Sequence, residues 1–327
     1  MRVAGRYRLT QSVGQGGMGR VWRALDETLE RQVAVKELRL DNPDYDRDAR
    51  TRRERALREA RAAARVDHPG VVRVYDVLEE AGRLWIVMEL VEAPSLEQAV
   101  SAQGPLGVRE TARVGLALAQ ALRRVHAAGV LHRDIKPGNV LLGPGHRVVL
   151  TDFGISALQD AQGLTQDGLL MGSPEYMPPE RATGGTPGTA SDSWSLGATL
   201  CTAATGRSPF ARTTVHATLV AVVHEDPELP PSGHPLTPLL RSLLLKDPAR
   251  RPGGDAIVTY LAAVADREEE RPSQGIRSRL LVVLVLLVAA ALAVVMAVTA
   301  IPSGGGTRLP EVTPPPTVAG TSRAPSP

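Results

Sequence analysis

The segment Leu131–Gly154 constrains the fold of this chain more than any other stretch. It reads LHRDIKPGNVLLGPGHRVVLTDFG, with polar groups before and after two short apolar runs, Val140–Leu142 and Val148–Leu150. Such runs predict the two strands of a hairpin, joined by a turn at residues 143–145, where Gly-Pro-Gly stands. A hairpin brings the loop before its first strand close to the loop after its second strand.

This hairpin gathers four polar side chains at one edge: Asp134, Lys136, Asn139 and Asp152. A carboxylate and an amide near a further acid supply the hard oxygen ligands that Mg²⁺ prefers. The remaining acid and the lysine can orient a hydroxyl nucleophile. The segment therefore predicts a site for metal-assisted chemistry on a hydroxyl group.

The runs His132–Asn139 (HRDIKPGN) and Asp152–Gly154 (DFG) resemble the catalytic loop and the magnesium loop of eukaryotic-type protein kinases. The resemblance implies an α+β bilobal fold, with a small antiparallel-sheet N-lobe carrying one key helix and a larger, mainly helical C-lobe. It also implies ATP and Mg²⁺ as cofactors, with Mn²⁺ as an alternative ion, and Asn139 and Asp152 as metal ligands. The chain is most similar to bacterial (Hanks-type) serine/threonine kinases, in particular the actinobacterial receptor-like kinases.

A glycine-rich loop follows the first predicted strand, Tyr7–Val13. The pattern Gly-x-Gly-x-x-Gly also occurs in dinucleotide-binding folds, but there it opens a helix. Here a second strand, Val21–Ala24, and a third, Gln32–Leu38, follow it, so the loop resembles the phosphate-covering flap of kinases. The nucleotide contacts implied by this resemblance are Val13, Gly14, Gln15, Gly16, Gly17, Met18, Gly19 and Val21.

Lys36 lies in the apolar third strand, where a buried ammonium group needs a partner. The helix predicted over Asp48–Val66 offers Glu54 and Glu59. Glu54 shares its helix face with arginines four and seven residues further on, as on a solvated stripe, whereas Glu59 lies between alanines on a small apolar face. Glu59 is the preferred partner, and Glu54 is the alternative.

Two further strands, Val71–Leu78 and Leu84–Leu90, complete the predicted sheet. By resemblance, Met88 closes the back of the adenine pocket. The hinge follows it, and backbone groups at Glu89 and Val91 would contact the adenine.

The stretch Ile155–Pro179 resembles an activation segment, although Pro178 replaces the usual alanine of its closing Ala-Pro-Glu motif. Thr165 is the expected phosphorylation site, and Arg133 could pair with its phosphate. Three residues would brace the structure around this segment. By resemblance, Glu180 pairs with Arg251, and Asp192 supports the catalytic loop from below, although Asp192 could also be a carboxylate favoured at a helix start.

The implied reaction is transfer of the ATP γ-phosphoryl group to a serine or threonine hydroxyl of a protein. Asp134 would orient and deprotonate the acceptor, and Lys136 would balance charge on the phosphoryl group. Lys36, oriented by Glu59, would hold the α- and β-phosphates. Two other functions fit the same motifs less well: a phosphate-gated docking platform at the membrane and a small-molecule phosphotransferase.

The composition changes after the predicted kinase domain, residues 7–265, which divides into an N-lobe (7–91) and a C-lobe (92–265). A charged linker, 266–279, precedes Leu280–Ile301, which has no charged residue. Twenty-two helical residues extend ~33 Å, enough to cross a bilayer core of ~30 Å. The arginines before this segment predict a single-pass cell-membrane protein with a cytoplasmic kinase domain and a disordered Pro-rich tail, 302–327, outside.

Charge and composition narrow the partners further. The net charge is only +3, and basic and acidic residues interleave, so no nucleic-acid surface is expected. Cys201 is the one cysteine, which excludes an internal disulfide, and we expect it to be a small buried residue. The expected partners are ATP, protein substrates, the lipid bilayer and a second kinase domain in a homodimer that phosphorylates in trans. The tail is too short for the extracellular repeats of many relatives.

Overall fold

In the computed structural model, which describes residues 1–16, 19–38, 49–152 and 173–267, the N-terminal third forms an antiparallel sheet. Its six strands are arranged in the order β1-β2-β3-β4-β6-β5. The strands are β1 (Arg2–Val3), β2 (Tyr7–Gly16), β3 (Gly19–Asp26), β4 (Arg31–Leu38), β5 (Val74–Glu80) and β6 (Arg83–Met88). Helix α1 (Ala49–Ala63) follows β4. Its Ala60 and Ala63 are buried and lie on the helix face that packs on the sheet.

The strand predicted over Val71–Leu78 begins later, at Val74. Val71 instead forms a parallel bridge with Leu150, and the Val72 amide donates to the Leu150 carbonyl at 3.0 Å. Both valines therefore pair with the predicted hairpin that contains Leu150 and not with the N-terminal sheet. The sequence shows their β-propensity but not which strand they pair with. The other predicted strands and the helix are present with boundaries shifted by at most three residues, and β1 was not predicted.

The second half of the described chain is mainly helical. Its helices are α2 (Leu96–Gln103), α3 (Val108–Ala127), α4 (Pro179–Ala182), α5 (Thr189–Thr205), α6 (Val215–His224), α7 (Thr237–Leu243) and α8 (Gly254–Ala265). Buried leucines of α3, α5 and α8 build the core, and Cys201 is fully buried among them, as predicted. Burial raises the pKa of the Cys201 thiol to about 12, so it stays protonated.

The predicted hairpin is confirmed as β7 (Val140–Leu142) and β8 (Val148–Leu150), paired antiparallel. Its connection is a 3₁₀ turn over Pro144–His146, in which Gly145 and His146 have left-handed backbone conformations. The predicted α+β, two-lobed architecture is therefore the one observed, with the hairpin between the sheet and the helices.

No helix of the described residues is long and apolar enough to cross a membrane. The segment 280–301, the tail 302–327 and linker residues 268–279 lie outside the described residues, as do Gly17, Met18, Asp48 and Thr165.

Candidate active site

Asp192, in the first turn of α5, positions the catalytic loop. Its carboxylate is 1% exposed and accepts hydrogen bonds from the backbone amides of His132 (2.9 Å) and Arg133 (2.8 Å). His126 Nε2 donates to it at 2.7 Å. Burial alone would raise the pKa of Asp192, but these donors outweigh burial and the net pKa lies below its usual value. Arg133 has φ 67°, a conformation that a non-glycine residue keeps only when its surroundings hold it there.

His132 supports the same loop from inside the core. It is fully buried, its Nε2 donates to the Thr151 carbonyl at 2.9 Å, and its Nδ1 accepts from the Asp134 amide at 3.2 Å. Burial lowers the pKa of His132, so the ring is neutral, which agrees with one donating and one accepting nitrogen. His132 thereby joins Thr151, the residue after β8, to Asp134.

The structure brings Asp134, Lys136 and Asn139 into direct contact. Lys136 Nζ donates to Asp134 Oδ2 at 2.9 Å, and Asn139 Nδ2 donates to the same oxygen at 2.9 Å and to the Asp134 carbonyl at 2.7 Å. These contacts hold the carboxylate in one orientation. A hydroxyl group placed against it could donate its proton there.

Asp152 follows β8 and turns toward Lys36 of β4. Its backbone is left-handed, with φ 63°, and Lys36 Nζ donates to its Oδ1 at 2.7 Å. Burial would raise the pKa of Asp152, but the Lys36 ammonium outweighs it and the net pKa lies below the usual value. The carboxylate is therefore ionised at neutral pH.

Asn139 and Asp152 fit a Mg²⁺ site by the chemistry of their donors. Asp152 is an ionised carboxylate. The side-chain Nδ2 of Asn139 is bonded to Asp134, so the side-chain Oδ1 is the atom that Asn139 can offer to a cation. Mg²⁺ is often held by one or two such oxygen ligands together with substrate phosphates and water.

The predicted ion pair between Lys36 and Glu59 is not formed in this structure. Within the described part of the chain, Lys36 pairs with Asp152, while Arg133 Nη1 donates to Glu59 Oε1 at 2.7 Å. The choice of Glu59 over Glu54 agrees with burial, because Glu54 is exposed and Glu59 is half-buried. Several acids and bases of this region could pair on charge alone, so the sequence could not decide between these partners.

A cleft of about 650 Å³ opens between the sheet and the hairpin, a volume typical of small-molecule sites. Of the predicted nucleotide contacts, Val13, Gly14, Val21, Glu89 and Val91 line it, together with Met88 at the rear and Asp152. Gln15, Gly16 and Gly19 lie at the ends of β2 and β3. Gly19 has φ 147°, and an added Cβ would lie 1.8 Å from the Glu37 carbonyl oxygen, so only glycine fits there.

Glu180 and Arg251 form a two-point ion pair, with both Nη–Oε distances at 2.8 Å. Ser191 Oγ also donates to Glu180, and the Arg251 side chain has no solvent exposure. Burial would raise the pKa of Glu180, but the Arg251 and Ser191 donors outweigh it, and the net pKa lies below its usual value. The pair joins the start of α4 to the segment between α7 and α8.

The family model described as "Protein kinase domain" matches residues 7–261. The chain belongs to the protein kinase family. It is 39% identical to serine/threonine-protein kinase PknA of Mycobacterium tuberculosis, covering 83% of this chain and 64% of that protein. It is 36% identical to serine/threonine-protein kinase PrkC of Bacillus subtilis, covering 77% and 38%. It is 38% identical to the DNA damage-responsive serine/threonine-protein kinase RqkA of Deinococcus radiodurans, covering 81% and 40%. The chain thus spans less than two thirds of the length of these curated relatives.

Sequence reasoning missed part of the support for this kinase site. No motif or spacing singles out His126 or Arg181. The structure shows His126 bonded to Asp192, and Arg181 Nη1 donating to the Arg133 carbonyl at 2.8 Å. Both are long-range contacts, so neither leaves a periodic pattern in the sequence.

We expect Glu180→Gln to lower the free energy of unfolding by about 3 kcal/mol at pH 7, because it leaves the buried Arg251 guanidinium without its carboxylate. The folded-state pKa of Glu180 is depressed below the model-peptide value of 4.5. The pair's contribution is therefore present above about pH 4.5 and is lost as the pH falls through the folded-state pKa. Urea denaturation of both proteins between pH 7 and pH 3 would measure the difference and its decline.

Glu225→Gln is the matched control, because its ion pair with Arg212 is exposed. We expect it to cost less than about 1 kcal/mol. Equal losses in the two variants, or a Glu180→Gln loss that persists unchanged at pH 3, would contradict the assignment.

Proposed function

We propose that this chain is a serine/threonine protein kinase that transfers the γ-phosphoryl group of ATP to protein hydroxyls. The observation that carries the proposal is the Asp134 carboxylate, which Lys136 and Asn139 hold in the loop before the hairpin. Gly138 of the same loop lines the cleft together with Asp152. Lys136, two residues after Asp134, favours serine and threonine acceptors by resemblance. The names of the three relatives agree with this specificity.

The side chains divide the reaction among them. Asp134 accepts the proton of the attacking hydroxyl, and Lys136 balances charge on the phosphoryl group as it moves. The Lys36 ammonium group would bind the phosphates of ATP when the nucleotide is in the cleft. Asn139 and Asp152 would hold Mg²⁺, which reduces the repulsion between the nucleophile and the phosphate oxygens.

Incubation of the purified full-length chain with labelled ATP and Mg²⁺ would test this function. We expect phosphate on serine or threonine of the chain itself and of a generic protein substrate. Asp134→Asn should lower the rate at least ~100-fold, since it removes the proton acceptor. The exposed Asp255→Asn is the control and should leave the rate unchanged, because Asp255 pairs with Arg123 at the surface of the C-lobe.

Each other outcome points elsewhere. An Asp134→Asn variant as active as the wild type contradicts the assigned base. No phosphorylation of any protein by the wild type favours the docking platform, and label only on small molecules favours a small-molecule phosphotransferase.

We infer that phosphorylation of Thr165 activates the enzyme by competing for Arg133. Support comes from the ion pair between Arg133 and Glu59, because a phosphate carries more charge than the carboxylate it would replace. Glu59 would then be released to pair with Lys36.

Thr165→Ala should therefore lower the rate of phosphorylation of an added substrate at least ~10-fold, while Ser156→Ala, in the same segment, should not. Mass spectrometry of the wild type identifies the phosphorylated residue, and steady-state rates measure the effect. Unchanged activity of Thr165→Ala would show that this residue is not the switch.

We further propose that residues 7–265 form a cytoplasmic kinase domain anchored by one transmembrane helix, 280–301, with the tail 302–327 outside and a role in membrane-associated signalling. The lack of charge in residues 280–301 and the arginines before them support this arrangement. Trans-phosphorylation would need a second copy of the kinase domain, so we expect a homodimer to form at least transiently.

Replacing Ala290 and Ala293 together by arginine should release the chain from membranes, because each charge costs about 3 kcal/mol at the centre of a span. Sedimentation after alkaline carbonate extraction measures the release, and the double replacement by leucine is the control. Arginine variants that stay in the membrane fraction as fully as the leucine variants would contradict the span.

A further inference from the structure

Arg147 makes a three-point contact with Glu89, a residue that lines the cleft, and with Pro69. Its Nη1 and Nη2 donate to Glu89 Oε1 and Oε2 at 2.7 and 3.2 Å, and its Nε donates to the Pro69 carbonyl at 3.3 Å. The guanidinium thus spans the hinge and the segment that follows α1. Planar two-point contacts of this kind fix orientation as well as distance.

The hairpin turn places Arg147 there. Gly145 and His146 both have left-handed conformations, and the Arg147 carbonyl accepts from the Gly143 amide at 2.7 Å. Arg147 directly precedes β8, which is hydrogen-bonded to residues 70–72 through both polar groups of Leu150. The backbone that carries the guanidinium is therefore held on both sides.

Glu89 is the first hinge residue, and it lines the cleft together with Leu90 and Val91. Its amide donates to the Arg73 carbonyl at 2.8 Å, and its carboxylate is engaged by Arg147. Among the described residues no backbone amide donates to the Glu89 carbonyl, so this oxygen is the polar group of Glu89 that remains for a ligand. Rotation of the hinge peptide would break one of these contacts.

We propose that Arg147 is a positioning residue for nucleotide binding, which holds the Glu89 peptide in the orientation that meets the adenine end of ATP. The inference rests on the proposed kinase function. Arg147 itself does not touch the nucleotide, and it acts through the Glu89 carboxylate. It should therefore affect the affinity for nucleotide and leave the chemical step unchanged.

The test compares Arg147→Gln, Arg147→Lys and Glu89→Gln in the full-length chain. We expect Arg147→Gln to raise the KM for ATP and the Kd for MgADP about 3- to 10-fold, with kcat within about twofold of the wild type. Arg147→Lys keeps the charge but cannot make the two-point contact, so it should show most of the same rise. The double variant, Arg147→Gln with Glu89→Gln, should be no worse than the more impaired single variant.

Arg212→Gln is the matched control, because it removes an arginine from a surface ion pair in the C-lobe, with Glu225 and Glu228. Its KM for ATP should equal that of the wild type. The proposal is overturned if Arg147→Gln binds nucleotide as the wild type does, if kcat falls while KM stays constant, or if the effects of the two single variants multiply in the double variant. Where Arg147→Gln does not fold, Arg147→Lys decides by the same criteria.

A wild-type chain that neither binds ATP nor phosphorylates protein would contradict the proposed function itself. An active wild type with unaffected Arg147 variants contradicts only the role of Arg147.

Discussion

One buried carboxylate, that of Asp192, holds the kinase site together. It accepts from two successive backbone amides of the catalytic loop and from His126, and it is almost inaccessible to solvent. A buried carboxylate without such donors would cost several kcal/mol, so the loop amides and the carboxylate stabilise each other. Because α5 is packed in the leucine-rich core, the loop is bonded to a residue whose position the core fixes. The left-handed backbone at Arg133, next to Asp134, depends on this support.

Two ion pairs lie around the site. Lys36 neutralises Asp152, and Arg133 neutralises Glu59, in two contacts of equal length, 2.7 Å. A group that brings further negative charge into the cleft would change the balance, because it competes with a carboxylate for one of the two cations. Such competition would change which carboxylate each cation neutralises. The geometry of Asp134, Lys136 and Asn139 does not depend on that choice, since their contacts are made within one short loop.

The β7–β8 hairpin is one of the structural links between the two lobes. Leu150 exchanges hydrogen bonds with residues 70–72, and Arg147 reaches the hinge at Glu89. The catalytic loop directly precedes the hairpin, and Asp152 follows it. A short two-stranded unit of this size is marginal by itself, so its stability comes from the elements packed on it. For the same reason, a contact made at the rear of the hairpin can influence the orientation of the hinge.

The sequence by itself determined the elements whose signals are local. The apolar runs and Gly-Pro-Gly turn specified the hairpin, the spacing of Asp134, Lys136 and Asn139 specified the loop cluster, and Gly19 occupies a position that only glycine can fill. Burial on one helix face was enough to prefer Glu59 to Glu54.

Only the tertiary structure decided which distant groups pair. It matched Lys36 with Asp152 and Glu59 with Arg133, joined Val71 to Leu150, and brought Arg147 to Glu89. Secondary structure depends mainly on neighbouring residues, so local sequence patterns predict it. An ion pair depends on distance through space, and several acids and bases of similar chemistry compete for each partner. That choice is fixed only when the lobes have packed and the loop backbones have been set.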